Sequence, residues 1–168
     1  ADEVKKYIGS IALSGAMEFI EKYESEGAAD GIIGHFGLGF YSAFMVSDRV
    51  EVISHSYRGT PAVKWVCNEE GEYEMSEAER EGHGTDIIMH INDEGAEYLE
   101  PHALRAVLDK YCAFMPVEIY FEDEDAEPAE PKEGEEKPAE TPINDIHPLW
   151  QKNPADCTDE EYKAFYHK

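Results

Sequence analysis

The chain has 168 residues, 38 of them Asp or Glu and 14 Lys or Arg, for a formal net charge of −24. That length allows one ordinary domain, or one and a piece, and so acidic a surface argues against nucleic acid and anionic membrane as partners. There is no long apolar run and no basic-then-apolar start, so neither a membrane span nor a signal peptide is expected.

The cysteines, Cys67, Cys112 and Cys157, are odd in number, far apart and without a CxxC pair. This points away from a disulfide framework or a zinc site and toward a reducing cytosol. His83 and His90 flank a predicted strand at a spacing that suits no metal-ligand pair. The missing initial Met, and an end at Lys168 inside a helical pattern, suggest a cut-out piece of a longer protein.

Taken in order, Val4, Tyr7, Ile8 and Ile11 recur at i, i+3, i+4 and i+7 and predict an amphipathic helix. Ser14-Gly15 interrupts it, and Met17, Phe19, Ile20 and Tyr23 continue a helical pattern that Gly27 is placed to stop. Two helices joined at Ser14-Gly15 and followed by a glycine-rich loop make a hinged flap, or simply two packed helices with a kink. Next comes Gly34-His35-Phe36-Gly37-Leu38-Gly39-Phe40, with glycines spaced GxxGxG, before a predicted helix over Tyr41–Val46. Glycines let the backbone approach a ligand closely, and a following helix offers unpaired N–H groups, a combination that suits phosphate. No Lys and Ser or Thr follow Gly39, so this is not the common P-loop, and the spacing is not that of the dinucleotide fingerprint. A glycine turn that only lets a helix pack closely is the alternative.

Val50–Ser54, Ala62–Cys67, Glu72–Met75 and Thr85–Ile91 read as strands separated by turns, which predicts an antiparallel meander. Glu100-Pro101 opens a further helix with Leu104, Val107, Leu108, Tyr111 and Met115 on one face, and Val117–Phe121 reads as a strand serving only the core. From Glu122 to Glu140 the composition shifts to Glu, Asp, Ala, Pro and Gly, which predicts an extended acidic linker. Beyond it, Thr141–Trp150 reads as an extended arm docking by Trp150. Thr158-Asp159-Glu160-Glu161 is a capping box for a helix carrying Tyr162, Phe165 and Tyr166.

Four stretches together carry a resemblance. Ile33–Val50 is similar to the phosphate-binding segment of the ninety-kilodalton heat-shock chaperones, of the bacterial high-temperature protein G type. Ile11–Ala16 resembles that family's lid, Gly84-Thr85-Asp86-Ile87 its nucleotide-side strand, and Leu149–Pro154 the start of its middle domain. The resemblance implies an ATP-driven chaperone for unfolded or partly folded client proteins, cytoplasmic and homodimeric when intact. It also implies an α+β fold, a two-layer arrangement with an antiparallel sheet and helices on one face, truncated at its N-terminal side. The domains expected are 1–121, the later part of a nucleotide-binding domain; 122–140, the linker; and 141–168, the start of a middle domain.

By resemblance Gly34, Gly37, Leu38, Gly39 and Phe40 would offer backbone N–H groups to phosphate oxygens. His35 stands where the family usually has Gln, and Thr85 would serve the adenine of ATP or ADP, bound with Mg2+ in the intact protein. Leu13 and Ala16 depart from the Lys and Thr common in the family's lid, which weakens any charge assistance from there. The family's general-base Glu, magnesium-holding Asn and adenine-binding Asp match no residue here. The chain by itself is therefore expected neither to hydrolyse ATP nor to bind it tightly. A non-catalytic interaction module, or another ATPase of the gyrase, histidine-kinase or mismatch-repair kind, are the competing readings.

Overall fold

A computed structural model describes residues 1–23, 34–126 and 141–167. The predicted helix stop at Gly27 and most of the acidic linker lie outside those residues. The chain forms two compact units, Ala1–Leu99 and Glu100–Lys168.

The first unit is built on a four-stranded antiparallel sheet of β1 (Ser47–His55), β2 (Ala62–Asn68), β3 (Tyr73–Ala78) and β4 (Gly84–Ile91). The spatial order is β3-β2-β1-β4, not the predicted meander, because the chain leaves β3 at one edge and returns as β4 at the other, paired with the side of β1 away from β2. The residues explain the crossing. β1 carries Val50 and Val52, both buried, and needs a partner on each side, whereas β3 is an acidic, largely exposed strand suited to an edge. Arg80 steers the connection: its guanidinium makes two 2.8 Å bonds to Asp86, while a ring nitrogen of His55 lies 2.7 Å from the Gly82 carbonyl.

The register sets Val50 opposite Cys67 and Met89, and Val52 opposite Trp65 and Ile87, so one face of the sheet is apolar. Helix α1 (Asp2–Tyr7) and a 3-10 helix (Gly39–Met45) cover it: Val4, Ile8, Phe40 and Phe44 pack on Val52, Trp65 and Cys67, beside Met75 of β3. Ile11 lies beyond the end of α1 and is exposed, contrary to its predicted place on the apolar face. The predicted α-helix at Tyr41–Val46 is a 3-10 helix. Ser42 Oγ donates to the Gly39 carbonyl, Val46 N–H to that of Ala43, and β1 starts at Ser47, leaving no room for a second α-turn. Helix α2 (Ala16–Tyr23) begins where the Ala16 N–H donates to Ser14 Oγ.

On the opposite face Glu51 is buried within a polar cluster. Its carboxylate accepts from Lys64, from His90 Nε2 at 2.8 Å and from Arg49 at 3.0 Å. The bonds from Lys64 and His90 hold its pKa below the ordinary 4.5. A carboxylate depressed in the folded state contributes stability that is complete above its unfolded pKa and is lost as pH falls through the folded one. Melting temperatures followed from neutral pH to about pH 3 should drop steeply below the ordinary carboxylate range, and Glu51→Gln should flatten that drop. An acid limb untouched by the substitution would locate the loss at other carboxylates.

The second unit contains α3 (Pro101–Cys112) and α4 (Asp159–Tyr166). Pro101 occupies the first turn of α3, and both halves of the predicted capping box are made at α4: Glu161 N–H donates to Thr158 Oγ1, and Thr158 N–H to the Glu161 carboxylate. Helix α3 ends three residues short of Met115, and on its predicted apolar face Tyr111 is 68 % exposed. The predicted strand Val117–Phe121 forms no strand among the described residues, and of its predicted core face Val117 is exposed while Ile119 and Phe121 are half-buried. Its backbone groups are taken by Asn144 instead of a neighbouring strand: Ile119 N–H donates to Asn144 Oδ1, and Asn144 Nδ2 donates to the Met115 and Val117 carbonyls.

Candidate functional site

The flap and the glycine loop meet. Gly37 has φ +66°, and a Cβ there would lie 2.6 Å from the Leu13 carbonyl oxygen, so the loop rests directly on the backbone of the α1–α2 connection. Only glycine combines that φ with so close an approach. Gly34 and Gly39 differ: among the described residues an added Cβ would meet nothing within 4 Å at either, and Gly39 has no positive φ. Among the described residues nothing packs against these two positions.

Two neighbouring clefts open beside this contact. One, of about 650 Å³, is lined by Ser14, Gly15 and Gly34 together with Tyr7, Phe19 and Arg58. The other, of about 340 Å³, is lined by Thr85, Ser54 and Val52 of the sheet and by Val4 and Ile8 of α1. Glu3 and Tyr57 border both. The fold thus brings Leu13, Ser14, Gly15, Gly34 and Gly37 together, and places Thr85 on the adjoining cleft.

The other predicted residues fall differently. Phe40 turns its ring into the core, edge-on to Trp65 at 5.7 Å, so only its backbone could face a ligand. His35 and Leu38 are exposed, and His35 contacts the ring of Phe36. Thr85 Oγ1 lies 2.9 Å from Ser54 Oγ, its cross-strand partner, which leaves this hydroxyl pair able both to donate and to accept.

The α1–α2 connection is stiffened by residues that the sequence reading did not single out. The Tyr7 ring lies against Gly15, where a Cβ would be 3.1 Å from it. Its hydroxyl donates to Glu18 and accepts from Lys6, both at 2.9 Å. Tyr41 donates to the Ile8 carbonyl, tying the end of α1 to the 3-10 helix. Ala12, between the helices, has φ +60°, a left-handed conformation unusual for a residue with a side chain. Helical periodicity placed Tyr7 on the apolar face. A glycine at i+8 beyond a break is too weak a signal to reveal their contact.

A phosphate group fits the bare glycine positions, where backbone can approach an anion without steric interference. The short 3-10 helix supplies less aligned backbone dipole than the α-helix predicted there. Positive charge is scarce: Arg58 pairs with Glu3 at 3.3 Å and Lys6 with Glu18 at 3.6 Å. Among the described residues no group of three or more His, Cys, Asp or Glu could hold a metal ion, and no helix is long and apolar enough to cross a membrane.

Comparison with known proteins agrees with the resemblance. Residues 116–168 match the family model described as Hsp90 protein. The chain is 48 % identical over 169 residues to the chaperone protein HtpG of Bacteroides fragilis, an alignment covering 99 % of the chain and 24 % of that relative. It is 49 % identical over 168 residues to HtpG of Porphyromonas gingivalis, covering 98 % of the chain and 24 % of the relative. With HtpG of Vibrio parahaemolyticus the figure is 40 % over 173 residues, covering 98 % and 26 %. The chain belongs to the Hsp90 family and spans about a quarter of the length of these relatives.

Proposed function

We propose that the chain is part of an ATP-dependent molecular chaperone that assists the folding of client proteins in the cytoplasm and works as a homodimer. In this reading the backbone of Gly34, His35, Gly37, Leu38, Gly39 and Phe40 holds the phosphates of ATP or ADP with its Mg2+. The segment Leu13-Ser14-Gly15 closes over them, and Thr85 with Ser54 meets the adenine edge. The bound nucleotide would supply the phosphoryl chemistry, and the residues present would bind and orient it. One observation carries the reading: Gly37 is needed for the loop to sit on the flap, while at Gly34 and Gly39 no described residue packs where a side chain would stand. A site that must admit a ligand backbone-close accounts for both.

The test is calorimetry and thermal melting of the whole chain with magnesium-ADP, because a ligand at a hundredfold excess over its Kd stabilises by about 2.7 kcal/mol. Weak but saturable binding is expected, abolished in Gly34→Val with Gly39→Val while the melting temperature without nucleotide stays put. Binding indifferent to that double substitution would remove the loop from the site. A folded chain that binds no nucleotide would show that these residues do not make a site on their own.

A further inference from the structure

Asn144 is buried, 8 % exposed, and its side-chain amide is fully used. Oδ1 accepts from Ile119 N–H at 2.8 Å, and Nδ2 donates to the carbonyls of Met115 at 2.9 Å and Val117 at 2.7 Å. The residues on either side add backbone bonds: Ile143 N–H donates to the Ile119 carbonyl and Asp145 N–H to that of Ala113, both at 2.8 Å. Three consecutive residues therefore take up backbone groups of Ala113, Met115, Val117 and Ile119, in a stretch that joins no sheet among the described residues. The two stretches lie on opposite sides of the acidic stretch in sequence. Composition had assigned that stretch the part of a tether between separate domains.

We infer that residues 141–147 are a strap closing the second unit, and that Asn144 is the residue that positions it. The chemistry selects asparagine. The strap needs one acceptor and two donors at the end of a short side chain, a set that Asp, Ser and Thr lack and that Gln offers one methylene too far out. Removing the amide leaves one N–H and two carbonyls without that partner at a partly buried position, a heavier loss than an exposed hydrogen bond. A nearby aromatic group is the rival fastening: the Phe114 ring lies 4.7 Å from that of Trp150 and 5.9 Å from that of Phe165.

If the strap holds, continuity of the chain through the acidic stretch is not what keeps the unit together. A site-specific protease sequence placed between Pro131 and Lys132 of the whole chain allows one cut there. After cutting, the two pieces should co-elute in native size-exclusion chromatography, with the mass of one uncut chain. Asn144→Ala should weaken their association at least about 30-fold, so that the pieces separate on dilution. Hydrogen exchange over β1–β4 would report that the first unit is still folded. Should Asn144→Ala fail to fold before cutting, Asn144→Asp carries the comparison, since it keeps the acceptor for Ile119 and loses both donors.

Wild-type pieces that separate at once would overturn the strap. Asn144 variants whose pieces hold together as tightly as wild type would pass its role to Phe114, Trp150 and Phe165. An uncut chain of twice the expected mass, with the strap supplied by a second copy, would also count against closure within one chain.

Discussion

Trp65→Ala should destabilise the first unit by about 3–5 kcal/mol, the range for deleting a large buried aromatic. Trp65 is 1 % exposed at the centre of the sheet, opposite Val52, edge-on to Phe40 and stacked on Tyr73 at 5.9 Å. Typical domain stabilities are only about 5–15 kcal/mol, so the variant would stand close to unfolding. Denaturant titration followed by far-ultraviolet circular dichroism measures the change. Phe40→Leu should be milder, because it keeps apolar volume against the indole, but it should still lower the denaturation midpoint. A Phe40→Leu chain as stable as wild type would mean that the Phe40 ring does not pack on Trp65. The cost of Trp65→Ala is tempered in one respect: its indole N–H is buried and finds no partner among the described residues, so the substitution also removes an unmet donor.

Gly37→Ala should release the flap. A side chain at φ +66° costs about 1–2 kcal/mol, and here the new methyl would also meet the Leu13 backbone, which cannot swing aside as a side chain could. A total of about 2–3 kcal/mol against the docked arrangement is expected. Hydrogen exchange over 12–20 should speed up markedly while β1–β4 keep their protection, since the sheet core does not touch Gly37. Gly39→Ala is the control: with open space around it and no positive φ, it should leave exchange in the flap unchanged. Equal effects at the two positions would show that the loop and the flap are not joined through Gly37.

Local signals were enough for most elements. Alternation marked all four strands to within a few residues, Pro101 the start of α3, and the Thr158–Glu161 spacing the capping box, because each depends on neighbours in the chain. The wording around the GxxGxG loop was enough for the family, since it lies in the order of residues and not in their packing. What sequence could not decide is which strand lies beside which. β3 and β4 are adjacent in the chain, yet β4 pairs with β1, because strand order depends on which edges must be buried, a property of the assembled sheet.

The same limit explains the residues that were read differently. Val117–Phe121 has strand-like alternation, but alternation records a preference for extended backbone and not the presence of a partner strand. The partner is Asn144, a lone polar residue in an unremarkable arm. Phe40 and Gly37 belong to one motif, yet the fold turns the Phe40 ring into the core and sets Gly37 against Leu13. The order of residues was enough for most elements, the family and the glycines; packing between segments decided the strand order, the two clefts, the strap and which glycine the fold requires. The physical reason is distance along the chain: turns, caps and periodicity act over a few residues, whereas burial and backbone satisfaction are settled between segments that meet only after folding.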